Sequence, residues 1–156
     1  MKPIEKIGII TCFNVTNDLD CCAAPCLHDL YNREGRFKDY PKESSLRLEG
    51  IVSCSGCPTL AYPEKIMRKV NALHQSGVTS IHFTYCMVAL CPFLNKYIDV
   101  ISRDYPDITL VKGTHEADYT KEACAKFRED VKTALDKNLK MNDIITAYRE
   151  GRIVSG

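Results

Sequence analysis

The sequence predicts an α/β fold: a parallel sheet of about four strands, Rossmann- or flavodoxin-like, with helices on both faces. Three observations carry this. Short apolar runs such as Lys6-Ile7-Gly8-Ile9-Ile10-Thr11 lack strict alternation, as strands buried on both faces do. Longer segments between them carry apolar residues at helical spacing. Strands that alternate with helices in this way build a parallel sheet with helices packed against it. The chain of 156 residues suits one domain with its own core, covering 1–156, in which 140–156 reads as a C-terminal helical extension.

The first strand, 6–11, ends at Cys12. Residues 13–20 read as a polar loop with two Asn and two Asp. A helix is expected over 21–31, with Pro25 near its first turn, Leu27, Leu30 and Tyr31 on its apolar face, and Gly35 at its end. Residues 37–41 read as a connection. The second strand, 46–53, runs into Cys54-Ser55-Gly56-Cys57-Pro58, where Gly56 allows a tight turn and Pro58 suits the approach to a helix. That helix covers 62–76, with Met67, Val70 and Leu73 inward. A third strand, 80–85, ends at Cys86. Cys91-Pro92 opens a helix in which Leu94, Ile98 and Ile101 recur at helical spacing. The fourth strand, 107–112, is ended by Gly113-Thr114-His115. A charged helix comes next over 116–139, with a break expected near Tyr119-Thr120 and an apolar stripe of Ala123, Phe127, Val131 and Leu135. A last short helix, 144–150, takes Asn142 or Asp143 as its cap.

Ligands of open α/β sheets bind at the carboxyl ends of the strands. Cys12, Cys54, Cys86 and His115 each fall at or just past the end of a different strand, an alignment that scattered core cysteines have no reason to show. Two thiols in the Cys54-x-x-Cys57 turn can share a metal ion or close a redox disulfide. Cys86 and Cys91 form a second pair on the next turn. Together the pairs make a four-thiolate set suited to zinc, with an iron–sulfur cluster as the alternative. A metal-free thiol oxidoreductase using Cys54 and Cys57 is the competing reading. Cys12, Cys26 and His115 are further candidate ligands, and His115 can equally serve as a general acid–base or a residue of a helix start. Cys22 and Cys26, four apart, would share a helix face. Cys124, in register with Phe127 and Val131, reads as a core residue, whereas Cys21 is open between packing and function. His82 lies inside a strand and reads as a hydrogen-bonded core residue, and His28 and His74 as helix-surface residues.

These residues resemble the CGGC-domain family of predicted metal-binding proteins. The signature is Cys54-Ser55-Gly56-Cys57-Pro58. The resemblance extends to Cys12, Cys22, Cys26-Leu27, Asn32, Arg33, Gly35, Phe37 and Tyr40, then to Cys86-Met87, Cys91-Pro92 and Gly113-Thr114-His115. Ser55 departs from the family pattern, which has Gly there, so the turn must accommodate a Cβ. The resemblance implies metal binding and supplies no reaction.

Other classes are disfavoured. Lysines and arginines number 21 against 20 acidic residues, and they are intermixed, so no basic stripe suggests nucleic acid. No uncharged apolar run spans a bilayer, and the first residues lack the apolar core of a signal peptide, which predicts a cytoplasmic protein. Nine cysteines in such a compartment are expected to be thiols, and their odd number excludes complete intramolecular pairing. No phosphate-binding glycine loop is present.

Overall fold

The computed structural model describes residues 1–57 and 62–152, so Pro58 and the end of the C-terminal extension lie outside the described residues. The sheet is four-stranded and wholly parallel, in the order β2-β1-β3-β4. Its strands are β1 (Ile4–Thr11), β2 (Ser45–Ser53), β3 (Ser80–Phe83) and β4 (Thr109–Lys112). The helices are α1 (Phe13–Asn17), α2 (Ala24–Asn32), α3 (Glu64–Gln75), α4 (Tyr85–Leu90), α5 (Leu94–Asp104), α6 (Lys121–Asp136) and α7 (Met141–Arg149), with a 3-10 turn at Gly35–Asp39. The α/β parallel-sheet architecture is the one the alternating pattern predicts.

Side chains alternate across a strand, so β1 feeds two separate apolar clusters. Ile7 and Ile9 join Leu30 of α2 and Phe37 of the 3-10 turn on one face. Ile10 joins the larger cluster on the other, with Val70 and Leu73 of α3, Ile101 of α5 and Phe127 of α6. Met141, Ile144 and Ala147 of α7 are buried in that same larger cluster.

Several local expectations are corrected. Residues 13–17 are helical, because Thr16 and Asn17 side chains bond back to the carbonyls of Cys12 and Phe13 and close a first turn. The next helix begins only at Ala24, since Ala23 takes a left-handed conformation that starts the turn and Pro25 sits just inside it. Cys22 therefore precedes the helix, is exposed, and shares no helix face with Cys26. Left-handed Arg33, not Gly35, ends α2. Gly35 is needed for another reason: it has φ +52°, and a Cβ there would collide with the Thr114 carbonyl. Cys86 does not sit on a simple strand-to-helix turn. β3 stops at Phe83 and Cys86 lies in the extra helix α4, with Cys91 at its C-cap. The long helix starts only at Lys121, capped by the Thr120 hydroxyl, and its buried stripe is Cys124, Phe127, Val131 and Ala134. Leu135 faces solvent. Asp143 caps α7 by accepting the Lys140 N–H at 2.7 Å.

Candidate metal centre

In the strand order 2-1-3-4 the chain leaves β1 toward β2 on one side and returns to β3 on the other. The crevice at this switch point opens beyond the carboxyl ends of β1, β2 and β3. Three cysteines stand there. Cys12 directly succeeds β1 and Cys54 directly succeeds β2, while Cys86 lies in the first turn after β3. The ladder continues past the strands and fixes their backbones: the Cys54 N–H donates to the Thr11 carbonyl at 2.8 Å, and the Thr84 N–H to the Ile10 carbonyl at 3.1 Å.

Cys12, Cys54 and Cys86 are all buried, and Cys12 is the middle member, interacting with Cys54 on one side and Cys86 on the other. The Cys54 bond lowers the Cys12 pKa. Contact with Cys86 and loss of water outweigh it and push the thiol up to about 12. Cys54 is also pushed up, first by its bond to Cys12 and then by burial, against the opposing N–H groups of Phe13 and Gly56. The Phe13 N–H reaches Cys54 Sγ at 3.2 Å, and the Thr84 hydroxyl lies 2.9 Å from Cys86 Sγ. Cys91 and Cys57 belong to the same edge. Burial raises the Cys91 thiol, the N–H groups of Phe93 and Leu94 oppose this, and the charges of Cys54 and Cys57 would raise it further. Cys57 is exposed, and burial and then Cys54 raise its pKa too.

This donor set fits a thiophilic cation. The buried thiols crowd one another, and the groups that shift them include no positive charge, so deprotonation is unfavourable until a cation supplies one. Backbone N–H groups aimed at Cys54 and Cys91 are outer-shell donors of the kind that steady metal-bound thiolates. The cluster is an open chain through Cys12. Among the described residues, the only three potential ligand atoms that all lie within 4.8 Å of one another belong to His28, Asp29 and Glu34. Sulfurs around one zinc stand roughly 3.8 Å apart, given tetrahedral bonds of about 2.3 Å, so the thiols must draw together on binding.

Cys26 and His115 are brought together elsewhere, on the α2 side of the crevice. Cys26 Sγ lies 3.1 Å from the Thr114 hydroxyl and 3.5 Å from His115 Nδ1. Burial lifts the Cys26 thiol to about 11, against the Thr114 hydroxyl, with Cys21 and Asp29 adding to the rise. Burial likewise lowers the His115 pKa; Asp29 opposes that and Arg149 reinforces it, so the pair is a neutral thiol and a neutral imidazole near pH 7. A small cavity of about 20 Å³ is lined by Cys86 together with Cys21, Cys26 and His115. A larger groove of about 770 Å³ runs outward from His115 between α2, α6 and α7.

His28 is a helix-surface residue, as expected, but its pairing is not legible in the sequence: the Asp29 and Glu34 carboxylates lie 3.0 and 3.7 Å from His28 Nδ1. Asp29 is also tied to the Glu116 N–H at 2.7 Å, so its carboxylate holds the Thr114-His115 turn against α2. No motif joins residues 29 and 116, and only the packing reveals the bond. Cys124 is buried beside Tyr85 and away from the sulfur chain, as its register predicts. Cys124→Ala is expected to cost on the order of 1 kcal/mol in an unfolding titration and to leave metal per chain unchanged.

A family model, the CGGC domain, matches residues 6–115. The matched span covers β1 to β4 and includes every cysteine except Cys124. Comparison with curated proteins and with solved structures gives no match. No described helix is long and apolar enough to cross a membrane.

Proposed function

From the premise that the chain belongs to the CGGC domain family, a predicted metal-binding family, we propose that it binds a metal ion through thiolates at the carboxyl edge of its sheet. Cys12, Cys54 and Cys86 form the centre of the site, and Cys57 and Cys91 complete it. The observation that supports this reading best is the convergence of three buried thiols from the ends of three adjacent strands, with Cys54 and Cys86 both acting on Cys12. Zinc is the favoured ion, since four thiolates close a tetrahedral site; an iron–sulfur cluster is the alternative. Five thiols exceed the four that a closed zinc site needs, so one of them stands outside the first set. Cys26 and His115 are a second donor pair, lining the same 20 Å³ cavity as Cys86, and are proposed as reserve ligands and not members of the first set.

The metal-free oxidoreductase reading is weaker. A reactive thiol needs a depressed pKa, and both Cys54 and Cys57 are pushed the other way. Metal analysis of anaerobically purified protein, together with its visible spectrum, decides between the readings. About one zinc per chain, or iron with charge-transfer bands, is the expected result. Protein free of transition metal under those conditions would favour the oxidoreductase.

Thiols must lose protons to ligate, so binding releases protons and weakens as pH falls. The raised pKa of Cys12 sharpens this, because its proton must be displaced by the metal across the whole neutral range. Metal content is therefore expected to fall on acidification before the far-ultraviolet circular dichroism changes. Loss of both in a single step would show that the metal is released only by unfolding.

A further inference from the structure

We propose that the cavity beside Cys54 is a binding site for a dianionic oxyanion group of the phosphate class. The proposal stands apart from the metal reading, since none of its cationic side chains is a metal ligand. The cavity has a volume of about 420 Å³ and is walled by Lys65, Arg68 and Lys69 of α3. Positions i, i+3 and i+4 share one face of a helix. The neighbouring face of α3, roughly 110° around the helix, buries Ile66, Val70 and Leu73, so the helix is held in rotation and the three cations stay beside the cavity.

Charge and hydrogen bonding agree on the ligand. Among the described residues, no carboxylate lines the cavity. None of the three cations has an ion pair among the described residues. Like charges at this spacing repel, and an anion held between them turns the repulsion into attraction. Independently, Ser55 lines the cavity, and its Oγ is covered and has no hydrogen-bond partner among the described residues. A buried hydroxyl without a partner costs about 1–3 kcal/mol, which an acceptor oxygen in the cavity would relieve once the Ser55 side chain rotates to donate its O–H. Three cations favour a doubly charged group over a carboxylate. The volume is that of a small-molecule site and not of an ion pocket, and the half-exposed Phe13 ring gives an organic remainder an apolar wall. The shared chemistry is a phosphate-class oxyanion, free or carried as a monoester.

The test uses the full chain, titrated calorimetrically with inorganic phosphate and with phenyl phosphate at fixed ionic strength, chloride serving as the control anion. Lys65→Gln/Arg68→Gln/Lys69→Gln should weaken phosphate binding by at least about tenfold, as loss of charge-assisted hydrogen bonds implies, and leave metal per chain unchanged. Arg68→Gln alone, at an exposed position, should weaken it in the same direction and guards against misfolding of the triple variant. Tighter binding of phenyl phosphate identifies an organic phosphate, and equal binding a free oxyanion. Chloride binding as well as phosphate, or a triple variant that binds like the parent, overturns the proposal. A parent protein that binds phosphate but holds no metal leaves this site standing and removes the metal reading instead.

Discussion

Cys12→Ala is expected to give a folded protein that retains little metal. Cys12 is the thiol whose titration is affected by both Cys54 and Cys86, so its removal takes out the member that links the other two. Loss of a mere outer-shell partner costs roughly ten- to a hundredfold in metal affinity, and loss of a central ligand should cost at least about a hundredfold. The fold should survive. β1 is held by β2 along its length and by β3 from Ile7 to Ile10, and the larger apolar cluster draws on six helices, so the cavity left by one thiol costs only about 1–2 kcal/mol. The measurement is metal per chain after desalting, then competition with a chelator, beside an unfolding curve. Cys124→Ala run in parallel should hold full metal. Full occupancy in Cys12→Ala would remove Cys12 from the site and with it the three-strand arrangement proposed for the centre.

His82→Ala is expected to destabilise the protein by about 3–5 kcal/mol at pH 7, the largest effect on stability expected here. His82 is fully buried in β3 and stacks on Phe37, with ring centroids 4.4 Å apart. Its Nδ1–H donates to the Gly113 carbonyl at 2.8 Å, so its Nε2 accepts from the Tyr40 hydroxyl at 2.8 Å. Alanine opens a cavity between the sheet and the 3-10 turn and leaves the Gly113 carbonyl without its donor.

The same residue predicts an acid dependence. Burial drives its pKa from 6.5 down to about 4, with the Gly113 carbonyl and Asp39 opposing the shift. Below pH 6.5 the unfolded chain takes up a proton that the folded chain refuses until about pH 4. Stability contributed by neutral His82 is therefore full above 6.5, declines as pH falls through this window, and is flat beneath it. A shift of this size corresponds to about 3 kcal/mol over the window. His82→Phe removes the titration while keeping an aromatic ring, so the stability gap between parent and variant should narrow by that amount from about pH 7 to about pH 4. His115, also lowered by burial, leaves a residual slope in the variant. A gap that stays constant with pH would mean that His82 titrates alike in the folded and unfolded chains, so that burial does not shift it.

The sequence determined more of the site than of its local frame. Alternation of unbroken apolar runs with helical stripes is enough to require a parallel sheet, and a parallel sheet puts all strand ends on one edge. Cys12 and Cys54, which end their strands, are therefore assignable to a common edge from the chain alone. The segments just beyond the strand ends are harder to read. Whether residues 13–17 coil or turn helical depends on side-chain bonds from Thr16 and Asn17. Leu135 looks inward by spacing in a helix that starts at Glu116, but the helix starts at Lys121 and its buried stripe runs through Ala134 instead.

The chain by itself fixed the fold class, the family and the edge at which sulfur gathers, because these depend on periodicity and on residue order, which are local. Only the tertiary structure decided that Cys12 joins Cys54 to Cys86, since that depends on the strand order 2-1-3-4, and order within a sheet is not written in any one segment. It also separated Cys26 and His115 into a pair of their own, and set Lys65, Arg68 and Lys69 over Ser55. Both are juxtapositions across the sheet edge, fixed by which helix face the core buries.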